Sequence, residues 1–299
     1  MAVSSAPERY IAVMNIRIDK NMLEGARRQF CLDMSMDYEA YMQSPNQKTY
    51  ICKTSYAEGT CYPAAPGARC YAGGDAFFNA VICFGQLFLS VDERIYDWAC
   101  EKFGECEPEW FCRYGNLREI DKKLQEYGRK LGDTHVYFLP EYEGVQRQVQ
   151  KENLIREQAV TASESEFLFA WYEQEEILRF KDNNCFGSAI CFSPTQPDVL
   201  AVAAMLPEAS SKDFNQDHMA GMAGVSADGE YLWQIGINVR EEYRGKGLAA
   251  ELVRSLKDEM IRRGKIPFYG TSESHTVSQT VALKAGFVPA WTAVYAVKA

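Results

Sequence analysis

The sequence predicts a mixed α/β protein whose C-terminal part alternates strands with helices around one sheet. Three observations carry that reading. Short runs of branched and aromatic residues recur between turn signals, as strands require. An apolar stripe at helical spacing runs through 245–263, and glycines at 264 and 286 stand where helices should stop. At 299 residues, 47% hydrophobic and 24% charged, the chain is long enough for two cores.

The elements follow in order. Residues 20–30 fit a helix, and the aromatic stretch 71–91 fits core strands. Residues 92–103 read as a helix with Ile95, Trp98 and Ala99 on one side. Residues 116–131 read as another, because Leu117, Ile120, Leu124 and Tyr127 recur every three or four positions and Gly132 follows. Residues 135–139 form the next expected strand. Residues 141–165 are polar and charged without period, so the boundary is set at 155: 1–155 is a mixed α/β accessory domain and 156–299 a second domain. Beyond it come a strand at 167–171, an acidic helix start at 173–178, a strand at 199–206, a polar loop at 207–217 and a strand at 219–226. Asp228-Gly229 marks a hairpin into the strand 231–239. The helix 245–263 carries Leu248, Leu252, Val253, Leu256 and Met260 on one stripe. A strand at 266–271 leads to a helix at 276–285, opened by a Thr276/Gln279 capping box. A last strand covers 292–297.

Composition narrows the function. A formal net charge of -9 argues against a nucleic-acid binder, which would show a basic face. No apolar run reaches the roughly 20 residues that span a bilayer, and the opening MAVSSAPERY lacks the layout of a signal peptide. A cytoplasmic protein is expected. None of the ten cysteines forms a Cys-x-x-Cys pair and only three histidines are present, so structural thiols and no metal centre are expected.

The chemistry concentrates in QIGINVREEYRGKGLAAELVRSLKDEM, from Gln234. A helix N-terminus offers unpaired N–H groups and partial positive charge, which suit a pyrophosphate. Gly245 and Gly247 let backbone approach a ligand closely, and Arg244 and Lys246 add charge at the same turn. A P-loop is excluded because Lys246 precedes Gly247 and no hydroxyl follows. A Rossmann loop is excluded because its third glycine is missing.

QIGINV followed by YRGKGLA resembles the acetyl-CoA signature of the GNAT superfamily, and IPFYGTSESHTVSQTVALKAGFVPAW looks like that family's next strand and helix. The resemblance covers roughly 165–299. More narrowly, DERIYDWACEKF, NLREIDKKLQEYG and WQIGINVREEYRGKGLA resemble a bacterial GNAT group with an extra N-terminal domain. The resemblance implies the acyl-CoA N-acyltransferase fold for 156–299; by analogy of alternating helices and strands, a degenerate GNAT-like partner is one reading of 1–155. It implies acetyl-CoA as cosubstrate and an amine, small molecule or peptide, as acceptor. In such enzymes the strand before the signature splays from its neighbour and its backbone holds the pantetheine arm, which here falls on Ile237, Asn238 and Val239. Arg244, Gly245, Lys246, Gly247, Leu248 and Ala249 would hold the pyrophosphate. Ser278 and His275 would lie near the CoA arm.

One position departs from the family. The tyrosine that serves as general acid four residues before the Gly-Phe glycine is Ala282 here. His275 is the first replacement and Tyr269 the second. The general base is open among Glu173, Glu175, Glu176 and Asp228. These features together imply an N-acetyltransferase acting by direct attack in a ternary complex. Its rivals are a non-catalytic acyl-CoA sensor and an interaction protein on a GNAT scaffold.

Overall fold

The computed structural model describes residues 17–54, 66–69, 75–142, 167–180, 198–207 and 218–299. The expected boundary near 155 and nearly all of the expected loop at 207–217 lie outside them. Helix α1 (Lys20–Asp33) begins at Asp19, whose carboxylate accepts from the Asn21 and Met22 N–H groups. It runs three residues past the expected span and is followed by α2 (Tyr38–Gln43). Strands β1 (Thr49–Thr54), β2 (Asp75–Cys83) and β3 (Gln86–Asp92) come next. The expected helix at 92–103 is a 3-10 turn, Glu93–Ile95, leading into α3 (Tyr96–Phe103).

Helix α4 (Tyr114–Gln125) stops six residues before the expected end. Gly128 takes a left-handed φ of 67° and turns the chain, so residues 129–131 form β4 (Arg129–Leu131) against the end of the sheet. The apolar spacing was correct in that Leu117, Ile120, Leu124 and Tyr127 all pack into one core. Tyr127 reaches it from the turn and not from the helix.

The remaining elements are β5 (His135–Pro140), β6 (Leu168–Glu173), α5 (Gln174–Phe180), β7 (Asp198–Met205), β8 (Met219–Ser226) and β9 (Leu232–Val239). They are followed by α6 (Leu248–Arg262), β10 (Ile266–Ser272), α7 (Thr276–Lys284) and β11 (Phe287–Lys298). The Thr276/Gln279 capping box does not form. His275 is the N-cap, Thr276 is already helical, and the Gln279 amide donates instead to the Glu273 carbonyl at 2.7 Å.

The described strands join one sheet in the order β1-β3-β2-β11-β5-β10-β9-β8-β7-β6, with β4 beside β11. It is mixed: β1 pairs with β3 and β9 with β10 in parallel, and the other neighbours are antiparallel. β5, from the first half of the sequence, lies between β10 and β11 of the second.

Helices cover both faces. On one, α6 and α7 cover β7–β10 through Leu252, Val253, Leu256 and Ala282, while α3 and α4 cover β2 and β3. On the other, α1 packs Leu23, Ala26 and Phe30 against Phe268 and Trp291, and α5 packs Ile177 near Tyr172 and Met222. Alternation along each strand sets the side: Trp233, Ile235 and Ile237 face α6, so Gln234, Gly236 and Asn238 face away. Among the described residues no helix is long and apolar enough to cross a membrane.

Candidate functional site

The site begins where two parallel strands part. β9 pairs with β10 only from Leu232 to Ile235, opposite Ile266 to Tyr269. Both strands continue, β9 to Val239 and β10 to Ser272, but the ladder does not. β9 keeps its bonds to β8 out to Val239, and β10 keeps its bonds to β5 out to Ser272. Among the described strands, the edge of residues 236–239 that faces β10 therefore joins no ladder. Backbone N–H and C=O groups need partners, and an extended ligand arm lying in this split can provide them. This is where Ile237, Asn238 and Val239 fall.

The split leads into the glycine turn. After a 3-10 turn, Glu241–Tyr243, Gly245 and Gly247 adopt φ of 80° and 87°, values that side chains with a Cβ rarely adopt. No heavy atom lies within 4 Å of where a Cβ would stand on either glycine. Both are exposed, as are Arg244 and Lys246. The Arg244 Nε donates to the Val239 carbonyl at 2.9 Å, tying the turn to the end of β9. The Lys246 Nζ lies 5.8 Å from the Tyr243 ring centroid.

Helix α6 starts at Leu248 and not at Gly245, because Gly247 is its left-handed N-cap. No side chain caps this end; the Ala250 and Glu251 N–H groups bond back to the Gly247 carbonyl, which leaves those of Leu248 and Ala249 as the first-turn groups a ligand can use. Leu248 is buried in the core and can offer only backbone; Ala249 is half-buried beside it. An open, cation-flanked helix N-terminus beside a strand split fits a cosubstrate with a pyrophosphate and an extended arm.

At the apex of the split, the buried Tyr269 points toward α7, and its hydroxyl is 2.9 Å from the Ser278 Oγ. Burial raises the Tyr269 pKa while the Ser278 contact opposes it, so the phenol carries its proton at neutral pH. His275 is exposed at the head of α7, and its side chain caps nothing. Ala282 is fully buried in the core beneath α6.

The four carboxylates proposed as bases separate. Glu173 is bound by the Arg263 guanidinium at 2.7 Å, which holds its carboxyl below the usual range. The Glu176 carboxylate accepts from the Glu173 N–H at 2.9 Å, and Glu175 is exposed. Asp228 accepts from the Ser226 hydroxyl, and burial pushes its carboxyl up to about 6.

Sequence reasoning missed Asp198. It opens an apolar strand straight after the loop-like Thr195-Gln196-Pro197, a position that reads as surface, yet it is fully buried. The signal in the sequence was Gly224, placed inside an apolar strand, where a glycine marks a close approach.

The sequence profile of the acetyltransferase (GNAT) family matches residues 138–287. Solved structures with similar folds include a GCN5-related N-acetyltransferase-like protein from Streptococcus suis, at 16% identity over 92% of this chain and 99% of that one, TM-score 0.43. A GCN5-related N-acetyltransferase from Kribbella flavida shares 16% identity over 58% of this chain and 62% of that one, TM-score 0.36. A Salmonella typhimurium protein determined with its cofactor acetyl-CoA shares 13% identity over 57% of this chain and 94% of that one, TM-score 0.26. No protein of curated function matches the chain.

Proposed function

The chain belongs to the GNAT acetyltransferase family, and on that premise we propose that it moves an acetyl group from acetyl-CoA to an amine by direct attack in a ternary complex. The observation that carries this is the split: the β9–β10 ladder ends at Ile235 and Tyr269, immediately before a left-handed glycine turn and an uncapped helix. In this reading the backbone of Arg244–Ala249 binds the pyrophosphate, with Arg244 and Lys246 adding charge. Ile237, Asn238 and Val239 bind the pantetheine arm, and Ser278 lines it. Backbone N–H groups at the split polarise the thioester carbonyl, where charge develops in the transition state.

His275 is the proposed acid for the departing thiolate, and Tyr269, already bonded to Ser278, is the second donor. An ordinary thiol has a pKa of about 8.5, so expulsion near neutral pH needs modest help. Residues 1–155 form the accessory part, which shapes the acceptor side and binds no CoA. The working site is the cytoplasm; the free thiols of Cys31 and Cys83, buried in the core, suit a reducing compartment.

The test is thiol release from acetyl-CoA with pooled amines, alongside melting with and without CoA. Ligand-induced stabilisation with amine-dependent release is expected. Stabilisation without release from any amine would identify a sensor, and no stabilisation would remove CoA from the account.

A further inference from the structure

On the face of the sheet turned away from α6 and α7, a buried carboxylate stands beside the split without a role in binding CoA. Asp198 is 0% exposed, and neither of its oxygens has a hydrogen-bond partner among the described residues. An unpartnered buried carboxylate is costly, and native proteins rarely keep one without a use.

Its position is set by glycines. A Cβ on Gly224 would lie 2.1 Å from the Asp198 Oδ2, so the carboxylate occupies the space directly over that residue. Gly224 pairs with Gly236, the first residue of β9 beyond its last bond to β10. Strands lie about 4.8 Å apart, which puts the carboxylate roughly one strand from where the split opens. On the opposite flank, Gly270 follows Tyr269 as Gly236 follows Ile235. A Cβ there would come within 2.6 Å of the Tyr137 ring. In the sheet, Gly236 thus lies one strand from the column that carries the carboxylate and beside the strand that carries Gly270 and the Tyr137 ring.

The charged surroundings are consistent with a cation. Asp228, bonded to Ser226, is the charge that acts on Asp198. Farther off, Arg69 is held by Asp33 at 2.6 Å and both are buried. Desolvation and the Asp228 charge together push the Asp198 carboxyl up to about 8.

We propose that Asp198 binds the acceptor as a cationic amine and takes from it the proton that must leave before the nitrogen can attack. This rests on the acetyl-transfer reading above. The ammonium N–H bond breaks and its proton passes to the Asp198 carboxylate. The freed electron pair on nitrogen forms the C–N bond, the C–S bond breaks with its electron pair on the CoA sulfur, and a second proton leaves the nitrogen as the amide forms, matching the one the sulfur takes up to depart as thiol. Asp198 afterwards returns its proton to solvent.

The experiment uses the full-length chain and Asp198→Asn, with methylamine, benzylamine, putrescine and lysine amide as acceptors and acetyl-CoA affinity measured separately. Wild type should release thiol with at least one of these amines. Asp198→Asn should lose at least 100-fold in kcat/KM, in line with the worth of general-base help, and lose the rising limb of the pH profile. Its acetyl-CoA affinity should be unchanged and its melting temperature no lower than wild type. Undiminished turnover in Asp198→Asn would overturn the proposal. So would acetyl-CoA binding with no release from any of these amines. Absence of acetyl-CoA binding in wild type would instead sink the acetyl-transfer reading itself.

Discussion

At the scale of single residues, Asp198 makes a prediction that needs no acceptor. Its folded carboxyl is raised to about 8 from 3.8. Between those values the folded protein holds a proton that the unfolded chain has lost, so stability falls as pH rises from about 4 to about 8. The penalty is absent below the unfolded value and complete above the folded one. Asp198→Asn should flatten this slope and gain on the order of a few kcal/mol at pH 8. Urea melts at pH 5, 6, 7 and 8 check it, and parallel slopes for the two proteins would remove the buried charge from the account. Ala282 makes a second prediction. Because it is fully buried under α6, Ala282→Tyr should not restore an acid and should cost about 1–3 kcal/mol or more by overpacking, measurable as a lower melting temperature. For the acid, His275→Ala is expected to lower kcat at least tenfold with CoA affinity kept. An unchanged kcat there, together with a loss in Tyr269→Phe, would move the role to Tyr269.

At the scale of elements, the sequence was most legible where local chemistry sets the backbone. The glycine turn and the stripe of α6 could be read directly, because φ near 80° leaves few residue types other than glycine, and the stripe needs only one helix and one sheet face. The helix at 116–131 misled because Tyr127 continues the apolar spacing into a turn, where Gly128 and the pairing of β4 with β11 take over. The capping box failed for a similar reason: the Glu273 carbonyl competes for the Gln279 amide, and nothing in the sequence ranks the two partners. Gly224 signals a close approach but not what approaches: the burial of Asp198 depends on β8 meeting β7 in a register that brings Gly224 beneath it. Gly224→Ala tests that fit. A Cβ 2.1 Å from the carboxylate must displace it, so acceptor KM should rise while acetyl-CoA affinity holds. Equal loss of both would point to general damage to the sheet.

At the scale of the whole molecule, β5 is the element that composition could not place. It was read correctly as a strand, but its seat between β10 and β11 is a long-range pairing, and period-two patterning says nothing about partners. Through it the first half of the chain completes the sheet around the split, since β10 beyond Tyr269 pairs with β5 alone. A chain cut to 156–299 should therefore melt without cooperativity, and a sharp transition in circular dichroism would contradict this. The central claim is that one CoA site per chain sits at the split and the glycine turn. Calorimetric titration of acetyl-CoA into wild type and Gly247→Glu tests it most directly. Wild type should bind one equivalent, and at 100 times its dissociation constant the ligand should stabilise the fold by about 2.7 kcal/mol. Gly247→Glu, with a carboxylate facing the pyrophosphate, should stay folded and show no binding heat. Two equivalents in wild type, or unchanged affinity in the folded variant, would contradict the account.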